Sequence, residues 1–278
     1  DAQKEYFLPK FATGELRGGI GLTEPDAGSD LQSLRLAAKK DGNDYLLNGT
    51  KTWISNGIYG NCLAVLTKTD PTVSPAHRGM SLFICEKGEG FTVGKKLKKL
   101  GYRAIDSAEL IFDNFRVSAD NLVGGEEGRG FQQVAGGLEL GRINIAARGA
   151  GMAKGATNMA LHYAMERKTF GKRLADHQVI RHKIAQMKQK LNATQAYIRI
   201  CFESIEAGCA NPGDIALLKV QASETMEFCA REAMQVLGGI GYMRGNRVER
   251  IYREVRVMAI GGGSEEIMFD LASRQYRF

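Results

Sequence analysis

Five short stretches of this chain combine hydroxyls, cations and glycines in ways that chemistry can use. LTEPDAGSD, Leu22 to Asp30, gathers the Thr23 and Ser29 hydroxyls and the backbone amides around Gly28 where an apolar run leaves for a loop. Such donor clusters bind phosphate or the polar edge of a ring, and they also make plain turns. TWISNG holds the only tryptophan, Trp53, followed by Ile54 and Ser55. A lone indole is either core or, beside hydroxyls, the wall of a flat ligand. ERKTFGKRLADHQ places Arg167, Lys168 and Thr169 at a helix end, then a turn with Phe170, then His177 and Gln178. An arginine there is either a solvated basic corner or a grip on a diphosphate. QVLGGIGY, Gln235 to Tyr242, closes a helix on Leu237, Gly238 and Gly239. That fits a helix C-cap and fails the dinucleotide fingerprint, because no strand precedes it and the spacing is wrong. MAIGGGSEEIM sets Gly261, Gly262 and Gly263 inside an otherwise helical run. Glycine supplies freedom and close approach but no reactive group.

Two kinds of element must position these stretches. Up to about Val123 the chain reads as strands. Two runs meet at Asp41-Gly42-Asn43-Asp44, a strong hairpin signal. Asn48-Gly49 and Asn56-Gly57 mark further turns, and CLAVLTKTD, MSLFICEK, FTVGKKL and SAELIFDNFRV add four strands. Many short strands with regular turns predict an antiparallel barrel or sandwich. From Gly130 the period lengthens. Ile180, Ile184, Met187, Leu191, Ile198, Cys201 and Ile205 form one helix seam within Ala175 to Gly208, and Leu218 to Val236 another. GCANPGD separates them, with Asp214 as N-cap. An alanine- and glycine-rich stretch before them suits a tightly packed helix, and two shorter helices follow. The predicted class is α+β: an antiparallel β-barrel-like domain followed by an up-down four-helix bundle.

Composition is that of an ordinary globular chain: 278 residues, 44% hydrophobic, 25% charged, net charge +7. The cations are mostly dispersed. The one dense run, GKKLKKLGYR (Gly94 to Arg103), suits a solvated strand edge. The five cysteines show no CxxC pair and no histidine at ligand spacing, which predicts reduced, mostly buried thiols and no metal. No apolar run approaches the ~18 residues of a membrane helix. The opening DAQKEYFLPKFATGEL reads as the tail of a helix running into a loop.

The order and spacing of TEPDAGSD, WISNG, ERKTFGK with HQ, QVLGGIGY and GGGSEEI resemble the acyl-CoA dehydrogenase family over essentially the whole chain. Members have an N-terminal helical domain, a middle β domain and a C-terminal four-helix bundle. This chain resembles the last two, with residues 1–16 as the tail of the first, 17–125 as the middle domain and 126–278 as the bundle. The resemblance implies FAD as cofactor and α,β-dehydrogenation of an acyl-CoA thioester. It also implies electron-transfer flavoprotein as acceptor and self-association to a dimer or tetramer, with no nucleic-acid or membrane partner. The implied place is bacterial cytoplasm, or the mitochondrial matrix in a eukaryote. Leu22, Thr23, Gly28 and Ser29 then lie along the flavin, backed by Trp53, Ile54 and Ser55. Arg167, Thr169, Phe170 and Gln178, with Gln235, Leu237, Gly238 and Gly239, contact FAD across a dimer interface, and Ser264 and Glu266 its adenosine end. Ser29, Glu139, Arg142 and Gly263 fall on substrate positions.

Against that pattern the catalytic base is missing. Most members carry a glutamate in a loop reading YEGT, where this chain has Gly261-Gly262-Gly263-Ser264. Other branches carry it just before the arginine of the first bundle helix, where this chain has Gly141 before Arg142. The base therefore comes from elsewhere, or the reaction is an elimination that needs none, or the chain is a non-catalytic subunit of a hetero-oligomer. Glu139 and Glu265 are the nearest acids in sequence. Glu139, two residues from Gly141, points about 200° away around the helix.

Overall fold

The hairpin signal at Gly42-Asn43 is the hinge of the first half of the molecule. In the computed structural model, which describes residues 2–277, β2 (Ala37–Asp41) and β3 (Asp44–Ser55) pair antiparallel across it, with Asp41 opposite Asp44. Gly42 takes the left-handed conformation such a two-residue turn demands (φ 63°). Asp1 and Phe278, the outer ends of the predicted parts, lie outside the described residues. The chain divides into two compact units after Gly137.

The first unit opens with α1 (Ala2–Thr13), whose Phe7 is buried with Leu16 and Cys62. Strands β1 (Gly18–Gly21), β4 (Cys62–Lys68), β5 (Met80–Glu86), β6 (Phe91–Lys96) and β7 (Ser107–Ser118) join β2 and β3 in one seven-stranded sheet. Its order is β1-β4-β2-β3-β7-β6, with β5 on the other edge of β4. The sheet is mostly antiparallel, but β1 and β2 both run parallel to β4. Alternating apolar residues, among them Leu47, Val65, Phe83, Leu110 and Phe112, fill one face. The basic run occupies the edge strand β6 and the loop after it, as its charge density suits.

Asn48-Gly49 is not the turn its composition suggests. It lies inside β3, where the register against β7 shifts between Leu47 and Gly49. Glycine is required there because φ is 143° and a Cβ would stand 2.9 Å from the Leu36 Cα. A bulge and a turn draw on the same residue type, and only pairing to β7 separates them.

The second unit holds most of α2 (Gly130–Glu166), then the short hairpin β8 (Lys168–Thr169) and β9 (Lys172–Arg173). Five helices follow among the described residues: α3 (Gln178–Glu206), α4 (Pro212–Leu237), the one-turn α5 (Gly239–Tyr242), α6 (Arg247–Ile260) and α7 (Glu265–Tyr276). Helix α4 is central, buried along most of its length and packed by α3, α6 and α7. Against it α2 presents Ala146 and Gly149, the latter so close that a Cβ would lie 2.7 Å from the Met226 methyl. The N-cap of α4 is Asn211, whose side chain accepts from the Gly213 N–H, and not Asp214. With proline at the first helical position, the cap falls one residue before it. Asp214 instead accepts the Tyr276 and Tyr197 hydroxyls and ties α7 and α3 to α4. The α+β class stands.

Candidate functional site

Two residues of β3 grip the Thr23 loop from beneath. Lys51 Nζ donates to the Leu22 carbonyl and to the Glu24 carboxylate, both at 2.9 Å, and the Thr52 N–H donates to the Thr23 carbonyl at 2.9 Å. Glu24 also accepts the backbone N–H of Arg35 (2.6 Å) and of Leu36 (3.0 Å). The acceptors of residues 22–24 therefore turn inward. The hydroxyls of Thr23 and Ser29 and the amides of Gly28 and Ser29 find no protein partner among the described residues. Leu22 is buried, while Gly28 and Ser29 are exposed.

Beyond Thr52 the strand bulges again, between Lys51 and Ile54. Ile54 goes into the core, and Trp53 is thrown outward at φ 57°, 66% exposed. The tryptophan is thus not core. A left-handed backbone at a bulky residue is strained, and here it presents a bare indole on the same strand that holds the donor-rich loop. The next residue but one, Ser55, is exposed too.

In the second unit, Arg167 and Lys168 are exposed where α2 ends, and Thr169 Oγ1 lies 3.1 Å from His177 Nε2 across the small hairpin. Phe170 stands at its tip at φ 50° and is 96% exposed. Gln178 begins α3 with its side chain outward. QVLGGIGY is a C-cap: α4 stops at Leu237, which is buried, and Gly238 turns left-handed (φ 62°). Gln235 and Gly239 are exposed beside it.

The glycine turn between α6 and α7 meets α2 through Arg142, whose Nε donates to the Gly262 carbonyl at 3.2 Å. Arg142, the residue after Gly141, thereby ties α2 to the Gly262 peptide. From below, Lys219 of α4 donates to the Gly263 carbonyl at 2.7 Å. Burial lowers the Lys219 ammonium to a pKa of about 8 and lowers Arg142 as well, while Glu139 acts in the opposite direction on the latter. Ser264 caps α7, accepting from the Ile267 N–H at 3.4 Å. Glu266 is exposed in the first turn, and its own backbone amide and Ser264 hold its carboxyl below the usual range.

Lys51, Glu24 and Lys219 escape sequence reasoning built on motifs, although Lys219 leaves a trace. It falls on the seam of Ile215, Ala222 and Met226 at steps of four, three and four, a charge on an apolar stripe.

Family models for the acyl-CoA dehydrogenase middle domain and C-terminal domain match residues 19–115 and 128–276. The chain belongs to the acyl-CoA dehydrogenase family. It is 38% identical over 275 residues to the mitochondrial long-chain specific acyl-CoA dehydrogenase of Mus musculus, covering 98% of this chain but 64% of that relative's length. The crystal structure of an acyl-CoA dehydrogenase from Geobacillus kaustophilus superposes with a TM-score of 0.97 at 38% identity, covering 100% of this chain and 73% of that one. A glutaryl-CoA dehydrogenase from Mycobacterium smegmatis in complex with FADH2 does so at 0.92 and 28% identity, covering 99% and 69%. Gly141 and Gly262, the two positions at which the resemblance expects a carboxylate, carry none.

Proposed function

We propose that this chain is the FAD- and substrate-binding part of an acyl-CoA dehydrogenase that introduces an α,β double bond into an acyl-CoA thioester, with a base outside positions 141 and 262. The observation that carries it is the strand-borne pair in the first unit: an outward indole at a strained bulge, next to a loop whose acceptors turn inward and whose Thr23, Gly28 and Ser29 donors have no partner among the described residues. That arrangement fits a flat ring with electron-rich edges, such as a flavin. The exposed Arg167 and the donors about Gly239 and Ser264 suit a diphosphate and its nucleoside. FAD, when bound, supplies a two-electron acceptor for the β-hydride.

The chain's own residues then have separable tasks. Trp53 and Ser55 back the ring, Ile54 anchors their strand in the core, and Thr23 and Ser29 donate to the ring's edge and to the diphosphate side. Glu139, Arg142 and Gly263 meet the acyl-CoA. Arg142 fixes the Gly262 peptide, so the amides of the turn keep one orientation toward whatever carbonyl lies there. Phe170, with almost its whole side chain in solvent, suits burial by a second copy in a dimer or tetramer. The electron acceptor of this reading is an electron-transfer flavoprotein, and the compartment is the bacterial cytoplasm or the mitochondrial matrix. Among the described residues no helix is long and apolar enough to cross a membrane.

Anaerobic addition of a broad acyl-CoA panel to the flavin-loaded protein tests the reading, with bleaching of the flavin as the expected result. No bleaching with any thioester defeats it. The double glycine also favours a second reading, an elimination that needs no proton acceptor. Product formation without flavin reduction and without an added acceptor identifies that case.

A further inference from the structure

Two cations converge on the glycine turn, and among the described residues neither has a carboxylate bonded to it. Lys219 is fully enclosed, 0% exposed, and the only partner of its ammonium among the described residues is the Gly263 carbonyl. Arg142 spends its Nε on the Gly262 carbonyl, and among the described residues its terminal nitrogens have no hydrogen-bond acceptor. A charge withdrawn from water is ordinarily paired with its opposite. Glu139, Glu265 and Glu266 act on this pair only through space; none forms an ion pair with either cation.

The two glycines on either side of this contact differ in the room they leave. At Gly262 the backbone is left-handed (φ 73°) and a Cβ would stand 2.7 Å from the Ile145 Cδ1. At Gly141, which is helical, a Cβ meets nothing within 4 Å. The room for an anion therefore lies on the Gly141 side of Arg142.

We propose that Arg142, backed by the buried charge of Lys219, receives the carboxylate of a ligand in the space over Gly141. The guanidinium offers a planar fork that takes a carboxylate through two N–H donors. Lys219 touches no ligand. It holds the turn and adds a second positive charge beneath it. The carboxylate belongs either to an acyl thioester with a second, distal carboxyl group or to a small free acid. Only that choice of source rests on the acyl-CoA reading; the site itself rests on the cations and the vacancy.

Calorimetric titration of the flavin-free 278-residue chain with propionate, and with its neutral counterpart propionamide, tests the site directly. Propionate is expected to bind saturably and at least tenfold tighter than the amide. Arg142→Gln removes that preference, and Arg142→Lys, which keeps the charge but not the fork, restores it in part. Gly141→Glu supplies a carboxylate from within the chain, so it abolishes propionate binding while the unfolding midpoint holds or rises. Equal binding of acid and amide, or an Arg142→Gln protein that binds propionate as the parent does, overturns the proposal. A second arm compares glutaryl-CoA with butyryl-CoA. Tighter glutaryl-CoA binding that Arg142→Gln erases places the carboxylate on the acyl chain, and propionate binding with no such preference assigns the site to a free acid. If propionate binds and neither thioester does, the acyl-CoA reading fails and the carboxylate site stands.

Discussion

Lys51 and Glu24 lie buried together, 0% and 6% exposed, under the loop that carries Thr23 and Ser29. A buried ion pair is weak evidence for stability, since desolvating both charges offsets much of their attraction. What this one does is directional. One ammonium holds a loop carbonyl and a loop carboxylate, and that carboxylate in turn holds the Arg35 and Leu36 amides. The loop is thus fixed to the strand that displays Trp53. Lys51→Met leaves Glu24 enclosed with two backbone donors and no counter-charge. Removing one member of such a pair costs about 3–5 kcal/mol, read as a lower urea midpoint at unchanged slope. A midpoint within experimental scatter of the parent shows that water reaches Glu24 and that the pair does not fix the loop.

At the scale of elements, α2 reaches α4 because its facing residues are small. Ala146, Ala150, Ala153, Ala156, Ala160 and Ala164 are all buried, and Gly149 sits against Met226. The obstacle to a larger residue at 149 is the flexible end of a methionine, so alanine is accommodated by a rotamer change. Gly149→Val crowds the interface and costs about 1–3 kcal/mol, seen in thermal unfolding, whereas a Gly149→Val, Met226→Ala double variant recovers part of the loss. Additive effects of the two changes sink the idea of a direct contact. The alanine-rich stretch declared this packing in advance, as the Asp41–Asp44 turn declared its hairpin, because both signals are local. The bulge at Gly49, the exposure of Trp53 and the cap at Asn211 were not legible. The first two are set by register against β7, and a cap one residue before a proline competes with a nearby aspartate of equal propensity. That Arg142 reaches the Gly262 carbonyl is a tertiary fact that no local signal carries.

For the whole molecule, alkaline pH sets buried acids against buried bases. Lys219 loses its proton near pH 8 when folded and near about 10.4 when unfolded. Between those values the unfolded chain binds more protons, so this group makes stability rise with pH. Lys51, Lys87 and Lys99, also lowered by burial, act in the same sense. The thiols act in the opposite sense. An unfolded cysteine ionises near about 8.5, while burial pushes Cys62 and Cys201 up to about 11 and raises Cys85 and Cys229 too. Above about pH 8.5 the folded chain is the one that holds the extra protons, and each thiol lowers stability. The tyrosines join them from about pH 10, with Tyr45 and Tyr276 held up to about 12, the first chiefly by burial and the second chiefly by its bond to Asp214. Four thiols, which begin to act near about pH 8.5, and then the tyrosines are set against four lysines, and the urea midpoint is expected to fall from about pH 8.5 to about pH 10.5. Lys219→Met removes one of the four opposing groups, and its midpoint falls more steeply over the same range. A parent protein whose midpoint stays level or rises there shows that the buried lysines, not the thiols, dominate the alkaline response. A Lys219→Met slope equal to the parent's shows that Lys219 keeps an ordinary ammonium pKa under the glycine turn.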